Sequence, residues 1–302
     1  MNKQSANCCA IVVSFNGIKW IEKCIQSLRD SDVDVIVVDN GSEDGTLQFL
    51  ENADDVELIQ TDQNLGFGKA NNLGIEIAYK RGYEYYFLLN QDAWVDKYAL
   101  GDLLQFLCEH EEFGILSPVH YDGDGINLDQ GFDRYVRLRN SSGFYLDHKR
   151  QSVKKKIYEV SFVNAAAWLV SRDCLTEVGL FHPLFEHYGE DDNYVHRVKA
   201  AGFKVGVLGA TKLYHDRASR FKKRINKNAK FRSMVMMVHL NPLKQRNKFI
   251  LWLISMGNLL SIPSFWYFLP NLHFYLWGMG KYFQYAREVH NYSKSFNPLI
   301  EP

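Results

Sequence analysis

Four short apolar runs near the start of the chain, each leading into polar or acidic residues, constrain its fold more than any other feature. Cys8–Phe15 ends in Ser14-Phe15-Asn16, and Val33–Val38 stops at Asp39-Asn40-Gly41. Val56–Gln60 leads to Asn64, and Tyr85–Leu89 leads to Asn90-Gln91-Asp92. Segments of helical spacing lie between them: Ile18, Ile21, Ile25 and Leu28, then Thr46–Leu50, then Lys69–Arg81 with Ile75 and Ala78 on one face. Buried strands alternating with helices predict an α/β domain, a mostly parallel sheet with helices on both faces. Such sheets bind ligands at the carboxyl ends of their strands. Here four successive ends carry Ser14/Asn16, Asp39/Asn40, Asn64 and Asp92.

The 302 residues can bury one large domain plus an appendage. Lys+Arg and Asp+Glu number 35 each, so the overall balance does not point to nucleic acid. The charge is unevenly placed, however: Arg217 to Arg232 holds eight basic residues and no acidic one. Cys8, Cys9, Cys24, Cys108 and Cys174 form no CxxC or Cys/His pattern, which argues against a disulfide framework or a structural zinc. Met1 to Asn7 is short and polar, without an apolar signal-peptide core. A cytoplasmic protein with reduced thiols is the expectation.

The middle of the chain, His120 to Lys156, is polar and Gly/Asp-rich and reads as an inserted hairpin or loop. A strand is expected at Val160–Val170, a helix at Asp191–Ala201 closed by Gly202, and a short strand at Val205–Leu208. Asp122-Gly123-Asp124-Gly125 hints at calcium but lacks the rest of an EF-hand loop, so it reads as a turn.

Four motifs can carry chemistry, and each also has a plain structural explanation. Ser14-Phe15-Asn16 and Val38-Asp39-Asn40-Gly41-Ser42 can hold a nucleobase and ribose, or can cap helices. In Asn64-Leu65-Gly66-Phe67-Gly68-Lys69-Ala70-Asn71-Asn72 the glycines let the backbone approach a ligand. That segment is only superficially a dinucleotide fingerprint. Asn71 replaces its third glycine and it follows the third strand, so a dehydrogenase is disfavoured. Asp92 is either a turn residue or a ligand for Mg2+ or Mn2+ that shares the cation with a diphosphate. Gly189-Glu190-Asp191-Asp192 opens a helix, where three acids suit the macrodipole. The same clustering raises one carboxyl's pKa and suits a general base.

The order of these motifs resembles that of the family 2 inverting glycosyltransferases with the GT-A fold. The segment Asn64–Asn72 is similar to the rhamnosyltransferase-like branch, as are Asn164-Ala165-Ala166-Ala167-Trp168-Leu169-Val170 and Glu177-Val178-Gly179-Leu180-Phe181. The resemblance spans roughly residues 8–220. It implies the nucleotide-diphospho-sugar transferase fold for residues 1–220, with residues 221–302 as a basic, aromatic, helical extension. It implies that Ser14, Asn16 and Asp39 contact the nucleotide, with Asp39 on the base. Asn64, Gly66, Asn71, Asn90 and Gln91 would line the donor pocket. Asp92 and His215 would hold the metal, Asp191 would be the general base, and Trp168 and Glu190 would lie on the acceptor side. Two positions depart from the pattern. Asn90 stands where many members carry a first Asp, and Asn193 where many carry another.

The activity so implied is transfer of a sugar, L-rhamnose from a dTDP donor being favoured, to a glycan or lipid-linked acceptor with inversion. A UDP-hexose or UDP-N-acetylhexosamine is the competing donor. A catalytically silent sugar-nucleotide-binding scaffold is the competing class. Phe249–Ile262 is apolar but contains Gly257 and Asn258, and Pro263 and Pro270 follow. That is too broken for the roughly 20 apolar residues of a membrane span. Helices lying in the interface are expected, with Lys244, Arg246 and Lys248 on lipid phosphates at the inner face of the plasma membrane. The alternative is a helical hairpin on the catalytic domain or on a second subunit of a homo-oligomer. No nucleic-acid partner is expected, since no aromatic-basic recognition module accompanies the basic stretch.

Overall fold

In the computed structural model, which describes residues 7–138, 143–185, 188–217, 227–243, 247–261, 278 and 281–289, the first apolar run forms β1 (Cys8–Ser14). Cys9 and Ile11 of β1 face one hydrophobic core, while Cys8, Ala10 and Val12 face another. Both faces of the strand are therefore buried, which is why its sequence shows no polar alternation. Helix α1 (Ile21–Arg29) lays Ile21, Cys24, Ile25 and Leu28 on the second core. Strand β2 (Asp34–Asp39) pairs parallel with β1, and after helix α2 (Thr46–Glu51) strand β3 (Glu57–Gln60) pairs parallel with β2. Helix α3 (Phe67–Lys80) covers the first core so closely that a Cβ at Gly74 would lie 2.6 Å from Ile11 Cγ2. Strand β4 (Tyr85–Asn90) then returns to pair with the other edge of β1. Strand order therefore reverses at β1, which opens a crevice at its carboxyl end.

The rest of the sheet is built from β5 (Ala93–Val95), α4 (Ala99–Glu109), β6 (Phe113–Asp122), α5 (Gln130–Leu138), α6 (Phe144–Lys149), β7 (Ile157–Glu159), β8 (Ala167–Ser171), α7 (Arg172–Val178), α8 (Glu190–Ala200) and β9 (Lys204–His215). Spatial order is β3-β2-β1-β4-β8-β6-β9-β5, with β7 on β9. The sheet is mixed: β3, β2, β1 and β4 run parallel, as do β6 and β9, whereas β8, β5 and β7 are antiparallel to their partners.

Three local expectations are corrected. Residues 120–156 are not a hairpin: β6 runs on to Asp122, and α5 and α6 follow. Phe132, Val136 and Phe144 bury themselves in the first core, so the polar residues of this segment are the outer faces of amphipathic helices. The run Val160–Val170 is a strand only from Ala167, because residues 160–166 leave the sheet while staying largely buried. The strand at Val205 does not stop at Leu208 but runs on to His215, twelve residues in all from Lys204. Its register against β6 shifts after Pro118↔Leu208, where Ala210 takes φ 64°. That irregularity carries the far half of β9 across to β5.

Beyond the sheet lie α9 (Lys227–His239), α10 (Lys248–Ser261) and a helical stretch at 281–289. Phe231, Val235, Met236, Tyr282, Tyr285 and Val289 form a third core with Leu184 and Phe185. Among the described residues no helix is long and apolar enough to cross a membrane. Lys244, Arg246, Pro263, Pro270 and most of the basic stretch lie outside the described residues. The turn expected at Asp122–Gly125 is present, with Asp122 and Asp124 accepting from the backbone N–H of Ile126.

Candidate active site

The carboxyl ends of β1 and β4 open into a cleft of about 430 Å³. Its wall includes Asn64, Gly66, Asn90, Gln91, Asp92, Glu190 and Asp191 from the expected set. Phe15, Asn40, Asn164, Tyr188 and Arg217 join them. Asp92, at the end of β4, and Asp191, in the first turn of α8, thus face one space.

On the nucleotide side Ser14, Asn16 and Asp39 do not line the cleft; they build its frame. Asp39 is buried and accepts from Ser14 Oγ at 2.8 Å, Ser42 N at 2.9 Å and Ser42 Oγ at 2.6 Å. Asn16 takes a left-handed φ of 49° and accepts from Glu43 N at 2.8 Å. Gln91 accepts from Phe15 N and donates to Phe15 O, both at 2.9 Å. It reaches the cleft chiefly by setting Phe15. A Cβ at Gly17 would fall 2.0 Å from Gln91 Oε1, so any side chain there would push the Gln91 amide off Phe15. Asn64 accepts from Asn40 Nδ2 at 3.1 Å and Gly66 N at 2.9 Å, which turns the chain into α3 with Gly66 at φ 84°. Two residues of that motif do other work. Gly68 abuts Phe181 in the core, and Asn71, buried, donates to Phe67 O at 3.0 Å within α3.

The floor of the cleft is a row in which carboxylates alternate with an imidazole and a guanidinium. His215 Nε2 lies 3.4 Å from Asp92 Oδ1, and His215 Nδ1 lies 3.8 Å from Asp129 Oδ2. The same Asp129 oxygen is 3.3 Å from Arg217 Nε. The register Ala93↔His215 between β5 and β9 creates this meeting, since it sets the residue after Asp92 opposite the imidazole. Asp129 caps α5 with its other oxygen, accepting from Phe132 N at 2.9 Å. Asp92 opens onto the cleft with 1% of its surface exposed. Among the described residues no cluster of three or more His, Cys, Asp or Glu could hold a metal ion. Asp92 and His215 therefore offer two protein donors. That set fits a divalent cation completing its shell with water and phosphate oxygens.

On the opposite wall, burial and then the neighbouring carboxylates Glu190 and Asp192 push the Asp191 carboxyl up to about 7. Burial also raises Glu190, against backbone hydrogen bonding that lowers it, with Asp192 adding to the rise. A carboxyl poised near neutrality at a cleft is the condition for general-base work.

Trp168 is corrected as an acceptor contact. It is fully buried, stacked on Phe181 at 6.1 Å and tilted on Tyr194 at 5.8 Å, and has no surface for a ligand. The residues missed at the site are Phe15, Tyr188, Asp129 and Arg217. Asp129 carried a signal, an acid just before an apolar pair at i and i+4, Phe132 and Val136.

The family model described as Glycosyl transferase family 2 matches residues 9–179. A dTDP-rhamnosyl transferase, RfbF, of Shigella flexneri is 24% identical over 221 residues, 70% of this chain and 69% of that protein. An N-acetylglucosaminyl-diphospho-decaprenol L-rhamnosyltransferase of Mycobacterium tuberculosis is 23% identical over 231 residues, 69% of this chain and 75% of its own. The crystal structure of S. aureus TarS 1–349 in complex with UDP-GlcNAc superposes with a TM-score of 0.63 at 19% identity. That match covers 93% of this chain and 81% of TarS, and it shows a shared fold.

Proposed function

We propose a donor, an acceptor class and a base for this chain, which belongs to glycosyl transferase family 2 and is a glycosyltransferase. It moves L-rhamnose from a dTDP donor to a glycan or lipid-linked acceptor, with inversion at the anomeric carbon. The observation that carries the reading is that Asp92, paired with His215, and Asp191 face one cleft from different parts of the chain. The donor choice is supported by two relatives whose names specify rhamnosyl transfer, one of them onto a diphospho-lipid.

The nucleotide lies against Phe15 and Asn40, over the frame of Asp39, Ser14 and Ser42. Asp92 and His215 would hold Mg2+ or Mn2+, which when bound would supply positive charge toward the leaving diphosphate. Arg217 brings a guanidinium to the same side, oriented by Asp129. Asp191 takes the proton from the acceptor hydroxyl as its oxygen attacks the anomeric carbon opposite the diphosphate. Glu190 stands beside it on the acceptor side. Exposed Ile250 and Leu253 on α10 and Phe283 beyond it support contact of the extension with a membrane surface.

The test is a panel of sugar nucleotides with Mn2+. It reads thermal shift, release of nucleoside diphosphate and the anomeric configuration of product by NMR. The dTDP-L-rhamnose arm should give the largest shift and release. A larger response to a UDP sugar overturns the donor, retained configuration overturns the inverting step, and binding without release of diphosphate points to a scaffold.

A further inference from the structure

The candidate base is gripped from outside the sheet. Tyr188 and Gly189, the two residues before α8, both take left-handed conformations, with φ of 67° and 92°. A left-handed backbone is strained for a tyrosine, so its surroundings must hold it there. Ser233 Oγ in α9 donates to Tyr188 O. A Cβ at Gly189 would lie 2.8 Å from Ser233 Oγ and 3.1 Å from Met237 Cγ, so α9 touches the backbone of this turn. On the far side of Asp191, Asn193 Nδ2 donates to Leu240 O at 3.1 Å, just past the end of α9. An acid at 193 would set an oxygen against that carbonyl, which explains why asparagine stands there. Arg232 Nη1 donates to Leu184 O at 3.0 Å, and its Nη2 lies 3.0 Å from Glu288 Oε2 in the 281–289 helix. Leu184 and Phe185 pack in the third core with Phe231, Val235 and Met236.

We infer that α9 sets the position of Asp191: Ser233 and Met237 are positioning residues, and the C-terminal extension is a working part of the active site. The assignment rests on Asp191 being the base. The charged groups near Asp191 are Glu190 and Asp192 on its own helix and Asp92 and Arg217 across the cleft. Ser233 and Met237 are neutral, so their removal can alter Asp191 only by letting it move or admitting water.

The experiment is carboxyl-carbon NMR titration of Asp191 in the full chain, in wild type, Ser233→Ala, Met237→Ala and Ser233→Thr. Loosening the turn should bring the Asp191 midpoint down by about half a unit or more in the two alanine variants. Ser233→Thr, which keeps the hydroxyl, should restore the wild-type midpoint. In donor turnover the alanine variants should lose kcat roughly 3–10-fold with donor KM unchanged. Lower melting temperatures with unmoved midpoints would reduce α9 to a stabilising support and overturn the assignment. A wild type that turns over no sugar nucleotide would remove the functional reading, while the titration would still decide this one.

Discussion

Gln91 spends its whole side-chain amide on the backbone of Phe15, one bond at each end and both 2.9 Å long. The bond pair locks the end of β4 to the end of β1 at the crevice where strand order reverses, and so fixes the aromatic ring on the cleft wall. Gln91→Glu replaces the donor with an oxygen facing Phe15 O. It should weaken nucleoside-diphosphate binding about tenfold and stability by about 1–3 kcal/mol. Gly17→Ala should reproduce the binding loss, because its methyl would strike Gln91 Oε1. Calorimetric titration with dTDP checks both; unchanged affinity in either would show that Phe15 does not need this lock.

A second consequence concerns the fold alone. The approach of α3 to β1 leaves no room for a side chain at Gly74, with Ile11 Cγ2 at 2.6 Å from the Cβ position and Val38 Cγ2 at 3.5 Å. Gly74 is φ-normal, so Gly74→Ala gains helix propensity of up to about 1 kcal/mol, but overpacking against Ile11 costs about 1–3. Net destabilisation is expected in denaturant titration. Ile11→Val in the same chain should recover part of it.

How much of this was legible in the sequence depends on whether a residue's role is local. The strands through Asn90 and the helices between them were legible because β1, β2 and β4 are buried on both faces, leaving apolar runs such as Ala10–Val13, with the partly exposed β3 read from its place between two helices. The convergence of Asp92 and Asp191 was legible only through resemblance. The resemblance puts Asp39 on the nucleobase; what it does not show is that Ser14 and Ser42 donate to the same carboxylate, a frame set by the register of two parallel strands. The resemblance puts Trp168 on the acceptor side, but the neighbours that enclose it come from later in the chain, Phe181 after α7 and Tyr194 on α8. Asp129 and Arg217 were hidden because a polar stretch conceals amphipathic helices and because β9 runs past its apparent end.

With Asp92 and His215 as the two protein donors on the cleft floor, the proposed metal binding should depend on the nucleotide. Asp92 and His215 alone should hold Mn2+ weakly, since most of its shell would be water. In chelator-treated protein, Mn2+ alone should leave the melting temperature unchanged, dTDP alone should raise it slightly, and both together should raise it by more than the sum. Asp92→Asn should abolish the synergy while leaving the response to dTDP alone. Synergy of wild-type size in Asp92→Asn would place the cation elsewhere.

The raised Asp191 carboxyl links activity to pH in one direction and stability to pH in the other. A base must be ionised, so kcat/KM should fall about tenfold per unit as pH drops below about 7, the value to which burial and then Glu190 and Asp192 push it. Stability runs the opposite way. The folded state binds the proton more tightly than the unfolded chain, whose Asp191 titrates near 3.8. Across the window from there to about 7 the folded state holds more protons, so the stability that this group contributes declines as pH rises, and the penalty is complete above it. Asp191→Asn cannot ionise and escapes the penalty. It should lose turnover by on the order of 10²–10⁴-fold, yet at pH 8 be more stable than wild type by about 1–3 kcal/mol, the gap closing toward pH 4. Glu190→Gln removes the larger neighbouring charge and should shift the acid limb of the rate profile downward. Denaturant titrations at several pH values decide it: parallel stability curves for wild type and Asp191→Asn would mean that Asp191 ionises freely, and the assignment of the base would fall with the slope.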